Sequence, residues 1–205
     1  MIAALAVLVR MRSRERGPAH DDDAELIARH RAGDQAAFAT MYRTHVAAVY
    51  RRLSRILGPV AERDDLTQDV FFALHRALPA FRGDARLGTL IHRIAINKAC
   101  EFLRTRSRRP ATPTDAVYFE ELRSLASSPQ DHAITCDELA RVFACLARIK
   151  PKKRVALMLR VVDGLSFEEI AELVDATPEA VAKRVQHGQR ELDALFARGA
   201  MGGTP

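Results

Sequence analysis

Tryptophan is absent from this 205-residue chain, and aromatic residues of all kinds make up only 6% of it. Cysteine is scarce as well, limited to Cys100, Cys136 and Cys145. An odd count with no close Cys-x-x-Cys pair argues against a disulfide framework and for a reducing, cytoplasmic setting. His132 and Cys136 stand four apart, but no second ligand pair accompanies them, so no metal site is expected. Long hydrophobic runs are missing too. The apolar start, Met1 to Val9, is too short to span a bilayer, lacks a preceding basic residue and is followed by no small-residue cleavage site. No stable membrane insertion is expected, and residues 1–21 read as a disordered tail. The P-loop, the Gly-x-Ser-x-Gly elbow, the His-Glu-x-x-His zinc motif and the dinucleotide glycine fingerprint are all lacking. The seven histidines are dispersed, and His75 and His92 fall within helical apolar patterns as packing or surface residues. With no acid–base pair in view, the chain is expected not to be an enzyme and to need no cofactor.

What the sequence has in abundance is alanine, leucine, arginine and glutamate, the composition of helices. Lysine and arginine exceed aspartate and glutamate by 32 to 26, a formal net charge of +6. That balance fits a polyanionic partner, and equally an ordinary soluble protein. The distribution says more. Acids gather at Asp21–Asp23, Asp64–Asp69 and Glu168–Glu172, and bases at Arg104–Arg109, Lys150–Arg154 and Lys183–Arg190.

Pro110, Pro113 and Pro129, with serine and threonine between them, interrupt the apolar periodicity. Proline lacks a backbone donor and restricts the residue before it, so residues 107–132 read as a flexible linker with at most one short helix, around Tyr118–Leu125. The fold expected is all-α: two small helical domains, at 22–106 and 133–198, then a tail at 199–205. In the first domain Phe38, Tyr42, Val46, Val49, Leu53 and Ile56 recur at three or four, one face of a helix that Gly58-Pro59 ends. Asp65-Leu66-Thr67-Gln68 has the form of a capping box. Leu66, Val70, Leu74 and Leu78 follow at intervals of four, and Phe81 to Leu87 forms a loop.

Ser166 to Leu192 carries the most information. Ser166-Phe167-Glu168-Glu169 is a capping box that opens a short helix with Phe167, Ile170, Ala171 and Val174 inward. After a break at Asp175-Ala176, Thr177-Pro178 supplies a hydroxyl cap and a first-turn proline for a longer helix. Val181, Val185, Gly188, Leu192 and Leu195 share one face of it; Glu179, Lys183, Arg184, His187 and Arg190 share the other. This is the pattern of a helix-turn-helix, whose second helix can enter the major groove. Arginine and lysine suit guanine acceptors or phosphates, and an acid accepts from cytosine. A helical hairpin with a solvated charged face has the same pattern, though the paired caps and Ala171 at the crossing favour DNA.

The run GLSFEEIAELVDATPEAVAKRVQHGQREL resembles the C-terminal DNA-binding region of extracytoplasmic-function (ECF) sigma factors, a subfamily of the bacterial sigma-70-type RNA polymerase sigma factors. LARVFACLARIKPKKRVALMLRVVDGLS resembles the stretch that leads into it. ERDDLTQDVFFALHRALPAFRGDARLGTLIHRIAINKACEFLR is similar to the family's core-binding and promoter-melting region. Order, spacing and linker agree over roughly Asp22 to Phe196. The resemblance implies a cytoplasmic subunit that binds core RNA polymerase and promoter DNA, initiates transcription of a specific regulon, and is often held by an anti-sigma factor. It places Asp64, Asp65, Gln68, Asp69 and Phe72 on the helix that docks on a coiled coil of the polymerase's largest subunit. Helix capping is the competing role for those acids. Arg82, Arg86, Arg93, Asn97, Lys98 and Arg104 fall in the part that engages the −10 element. Glu179, Ala180, Lys183, Arg184, His187 and Arg190 fall in the part that reads the −35 element. Two departures stand out: Leu90 occupies a position where relatives usually have tryptophan, and Ala180-Val181-Ala182-Lys183-Arg184 shifts the usual basic position by one residue.

Two other readings explain less. An operator-binding regulator accounts for Ser166–Phe196 but not for the acidic helix or the melting-type segment. A helical adaptor accounts for the acidic helix but not for the basic recognition face.

Overall fold

The computed structural model describes residues 3–10, 23–83, 85–106 and 136–201. Among these every regular element is helical: α1 (Ala3–Arg10), α2 (Asp23–Arg31), α3 (Gln35–Leu57), α4 (Arg63–Ala77), α5 (Leu87–Arg106), α6 (Cys136–Ala147), α7 (Pro151–Val161), α8 (Phe167–Val174) and α9 (Pro178–Met201), with one 3₁₀ turn at Leu78–Ala80. The sequence-expected linker, its Tyr118–Leu125 segment, and the His132 half of the His132/Cys136 pair lie outside the described residues.

Helices α2 to α5 form the N-terminal domain. Gly33 turns the chain at φ 93°, a conformation that costs glycine little. Asp34 then caps α3, accepting from the Ala36 amide at 2.8 Å while Arg29 donates to its other oxygen at 2.7 Å. Of the face that the sequence periodicity marked, helix α3 buries Val49, Leu53 and Ile56, with Phe38 and Val46 partly buried and Tyr42 exposed, and it buries Met41 beside them. It ends at Gly58, φ 73°. Proline at 79 gives the tight turn after α4 rather than more α-helix. One local expectation fails: α4 begins at Arg63 with Glu62 in the cap position and no side-chain cap bond, so Asp65 sits inside the first turn instead of capping it. A carboxylate there still meets the positive end of the helix dipole.

Helices α6 to α9 form the C-terminal domain. The capping box at Ser166 is present as read: Ser166 Oγ accepts from the Glu169 amide at 3.1 Å, and the Glu169 carboxylate accepts from the Ser166 amide at 2.7 Å. Asp175, at φ 48°, closes α8 in the left-handed region, which aspartate tolerates better than most residues. Thr177 Oγ1 accepts from the Ala180 amide at 3.3 Å at the start of α9. Gly188 lets α9 lie close on α7: a Cβ there would stand 3.2 Å from the Lys153 carbonyl oxygen.

Two features were not expected. The residues read as part of a disordered tail include α1, which packs on α6, α7 and α9. Its Ala4, Val7 and Leu8 are almost wholly buried. The eight-residue helix is marginal by itself, so this burial is what holds it. The second feature is direct docking of the two domains, with α5 lying on α7 and α8, and α3 touching α7. Arg154 of α7, 3% exposed, donates to the Ile56 and Leu57 carbonyls at the end of α3 at 2.9 and 2.7 Å. It thereby satisfies carbonyls that the helix end leaves open. Phe143 of α6 seats against Gly58 so closely that a Cβ would fall 2.5 Å from its ring.

Candidate nucleic-acid interface

Three surfaces carry the residues marked by the sequence. On α4, positions 64, 65, 68, 69 and 72 follow helical spacing, and the fold turns all five outward. Leu66, Val70, Phe71 and Leu74 fill the core behind them. Phe72 is 64% exposed, a large apolar group amid carboxylates. Beside this face lies a groove of about 560 Å³, lined by Asp64, Thr67 and Gln68 from α4 and by Tyr42, Val46, Tyr50 and Arg51 from α3. Tyr42 packs on Phe71 with ring centroids 4.6 Å apart. Of the α3 residues, Tyr42 and Val46 were legible only as core periodicity, and Tyr50 and Arg51 carried no signal. Their exposure arises because the aromatic rings overrun the edge of the packed stripe. A surface of carboxylates around aromatic anchors can orient a basic partner electrostatically and hold it by apolar contact.

The second surface is the α4–α5 loop and α5. Arg82, Arg86, Arg93, Asn97 and Arg104 are exposed and Lys98 is partly so. The six do not form one free patch. Lys98 stands 3.8 Å from both Asp69 and Glu101, which links this surface to the acidic one. Arg93 donates to the Glu172 carbonyl of α8 at 2.9 Å. Leu90 is partly buried against the core.

The third surface is the outer face of α9. Glu179, Lys183, His187 and Arg190 are exposed, Ala180 and Arg184 partly so, while Val181, Val185 and Leu192 face inward. Glu179 is held below the usual carboxylate range, chiefly by its own backbone amide and then by the Thr177 hydroxyl. It therefore stays an acceptor near neutral pH. Short α8, the turn at Asp175 and long α9 make the helix-turn-helix read from the sequence. Among the described residues no group of three or more metal-ligating side chains comes together, and no helix is long and apolar enough to cross a membrane.

Sequence reasoning missed the charged cluster between the domains. Arg52 and Arg55 of α3 stand 3.4 and 3.2 Å from the Asp163 carboxylate, with all three side chains no more than 8% exposed. His92 of α5 lies nearby. Burial above all, then Arg52 and His45, pushes its pKa down to about 3. Cys100, also on α5, has its thiol raised by burial against the opposing pull of Arg104, Lys152 and Arg184. That last pull places the recognition helix within electrostatic reach of α5. A single-sequence pattern could not show this, since Arg52 and Arg55 read as the polar side of an amphipathic helix.

Residues 41–109 match the family model for sigma-70 region 2, and residues 139–192 match that for sigma-70 region 4. The chain is 32% identical over 177 residues to the ECF RNA polymerase sigma-E factor of Escherichia coli, covering 83% of this chain and 92% of the relative. It is also 32% identical over 180 residues to the RNA polymerase sigma-H factor of Pseudomonas aeruginosa, covering 84% and 93%. In structure it resembles CnrH, solved in complex with the cytosolic domain of CnrY, with a TM-score of 0.60 and 25% identity over 87% of this chain and 99% of CnrH.

Proposed function

The chain belongs to the ECF family of RNA polymerase sigma factors, and from that membership we propose how its three surfaces divide the work of starting transcription. As a sigma factor it directs core polymerase to promoters and initiates transcription there. The outward row Asp64, Asp65, Gln68, Asp69 and Phe72, extended by Tyr42 across the groove, takes core polymerase. Arg82, Arg86, Arg93, Asn97, Lys98 and Arg104 engage the −10 element, where guanidinium and ammonium groups track the phosphates of a separated strand. Leu90 is packed inward, so opening relies on this basic track and on pocketing of a base rather than on tryptophan stacking. Glu179, Ala180, Lys183, Arg184, His187 and Arg190 enter the major groove of the −35 element. The linker at 107–132 then sets the reach between the two readers. The subunit has no catalysis of its own; nucleotide addition belongs to the polymerase. Its place is the cytoplasm, with core polymerase.

The observation that carries this division is the separation of charge in the order the family requires. An acidic aromatic face on α4 is followed by basic faces on α5 and α9, each backed by its own buried stripe. A protein partner of the anti-sigma kind fits the same surfaces, and the likeness to CnrH, solved with the cytosolic domain of CnrY, supports that reading.

The test uses reconstituted polymerase on a promoter fragment over a range of salt. Lys183→Ala is expected to lower the slope of log affinity against log salt by about 1, as one lost phosphate contact does. Arg184→Ala is expected to change the preference among −35 variants. Unchanged slopes and preferences in both would remove α9 from the DNA surface.

A further inference from the structure

Helix α1 stands outside the two family-matched segments, which run from 41 to 109 and from 139 to 192. The next described helix, α2, belongs to the N-terminal domain, yet α1 packs on α6, α7 and α9 of the C-terminal one. The groove that receives it is built only from residues beyond Cys136. Those three helices fall almost wholly within the second family-matched segment, so the groove belongs to the domain and α1 is an addition to it.

The residues of α1 show what the groove accepts. Ala4, Val7 and Leu8 are 1%, 4% and 0% exposed. They stand at i, i+3 and i+4, one face of a helix. All three are small or aliphatic and none carries charge. At the far end of α9, Leu195 and Phe196 pack on the same apolar cluster while only partly buried.

The balance that holds α1 is narrow. Burial of three aliphatic groups favours docking, and fixing the backbone of eight residues opposes it. So short a helix gains little from its own hydrogen bonds. A segment held by a small surplus leaves and returns without unfolding what lies beneath it. That is the behaviour of a tethered ligand. On a short tether a ligand acts at roughly millimolar local concentration. A groove with an intrinsic dissociation constant of about 30 μM is then filled about thirty times as often as it is empty.

We propose that α6, α7 and α9 form a helix-binding groove for a protein partner that presents an apolar helix, with small and aliphatic side chains at i, i+3 and i+4, and that α1 is its resident competitor in cis. A partner helix enters only by displacing α1, so its apparent affinity is lowered by the same factor of about thirty. Nothing in this depends on which helices read DNA.

The experiment uses the full chain and a fluorescein-labelled peptide of residues 1–12 as the probe helix, read by anisotropy. Val7→Asp/Leu8→Asp places two carboxylates where the groove is apolar, and is expected to empty it in cis while the chain keeps its cooperative melt. The labelled peptide should bind this variant about thirtyfold more tightly than it binds wild type. A peptide carrying the same two substitutions should bind neither. Hydrogen exchange on wild type gives a measurement that needs no variant. The hydrogen-bonded amides of α1 should be protected by only about thirtyfold more than a free peptide, and those of α7 by the far larger factor that global unfolding sets. Equal protection of α1 and α7 would make α1 a part of the core and overturn the proposal. A folded variant that does not bind the peptide would overturn the groove. Wild type that dimerises at tens of micromolar would show α1 exchanged between copies and overturn its occupancy in cis.

Discussion

Lowering the pH from 7.5 to 5 should destabilise this protein above all through His92. In the folded chain burial, reinforced by the positive charge of Arg52 and by His45, holds its pKa at about 3, against an ordinary value of 6.5. Above pH 6.5 the imidazole is neutral whether the chain is folded or not, and it contributes nothing to the pH dependence. Below 6.5 the unfolded chain takes up a proton that the folded one refuses, so stability falls as pH drops. The loss continues to about pH 3 and levels off beneath it. With these two values the linkage gives a loss of about 2 kcal/mol at pH 5 and about 3 kcal/mol at pH 4. That is a large share of the 5–15 kcal/mol by which domains are usually stable. Urea unfolding at pH 7.5 and 5.0 measures it in wild type and in His92→Gln. Carboxylates titrate in both proteins and cancel in the difference. The variant should lose about 2 kcal/mol less than wild type over this interval. Equal losses would show that His92 takes its proton freely in the folded chain, and that the packing of α5 on α3 is looser than described.

Three further outcomes follow from local structure. Ser166→Ala removes the hydroxyl that accepts from the Glu169 amide; a lost cap of this kind costs about 1 kcal/mol, read as a drop of about 2–4 °C in thermal melting, and Ser166→Asp should restore most of it. Leu8→Ala empties a fully buried site on α1 and should cost about 2–3 kcal/mol in chemical unfolding; no change would mean that α1 is not seated on the C-terminal domain in solution. Gly58→Ala drives a Cβ to within 2.5 Å of the Phe143 ring at a position of positive φ, so it should loosen the domain contact and raise proteolysis between the domains.

The helix-turn-helix was legible because its signals are local. A serine and a glutamate three apart, and a threonine before a proline, dictate caps whatever surrounds them, and the Ser166 box forms as its residues require. The buried stripes of α3, α4 and α9 were legible by period. Asp65 misled because a carboxylate suits the cap and the first turn alike, and only the path of the chain from Val60 decides between them. The short α1 was hidden because eight residues, seven of them apolar, carry no helix signal of their own and fold only against α6, α7 and α9. Long-range pairing was hidden for the same reason. Nothing near Arg52 or Arg55 in sequence announces Asp163, 108 residues beyond Arg55. The acidic face of α4 was read correctly as outward, but its aromatic neighbour Tyr42 comes from another helix and had to be seen in place.

Core polymerase itself tests most directly whether the α4 face is the docking surface of this chain. Purified chain would be mixed with core polymerase lacking any sigma factor and supplied with a pool of genomic promoter fragments. Specific transcripts are predicted from wild type. Asp65→Lys/Asp69→Lys should abolish them and abolish co-migration with core polymerase, while its helicity stays as in wild type and its melting falls by only a few degrees, the loss of a favourable helix-dipole contact and of the Lys98 pair. A charge-reversed chain that still joins core polymerase and starts the same transcripts would contradict the assignment of that face.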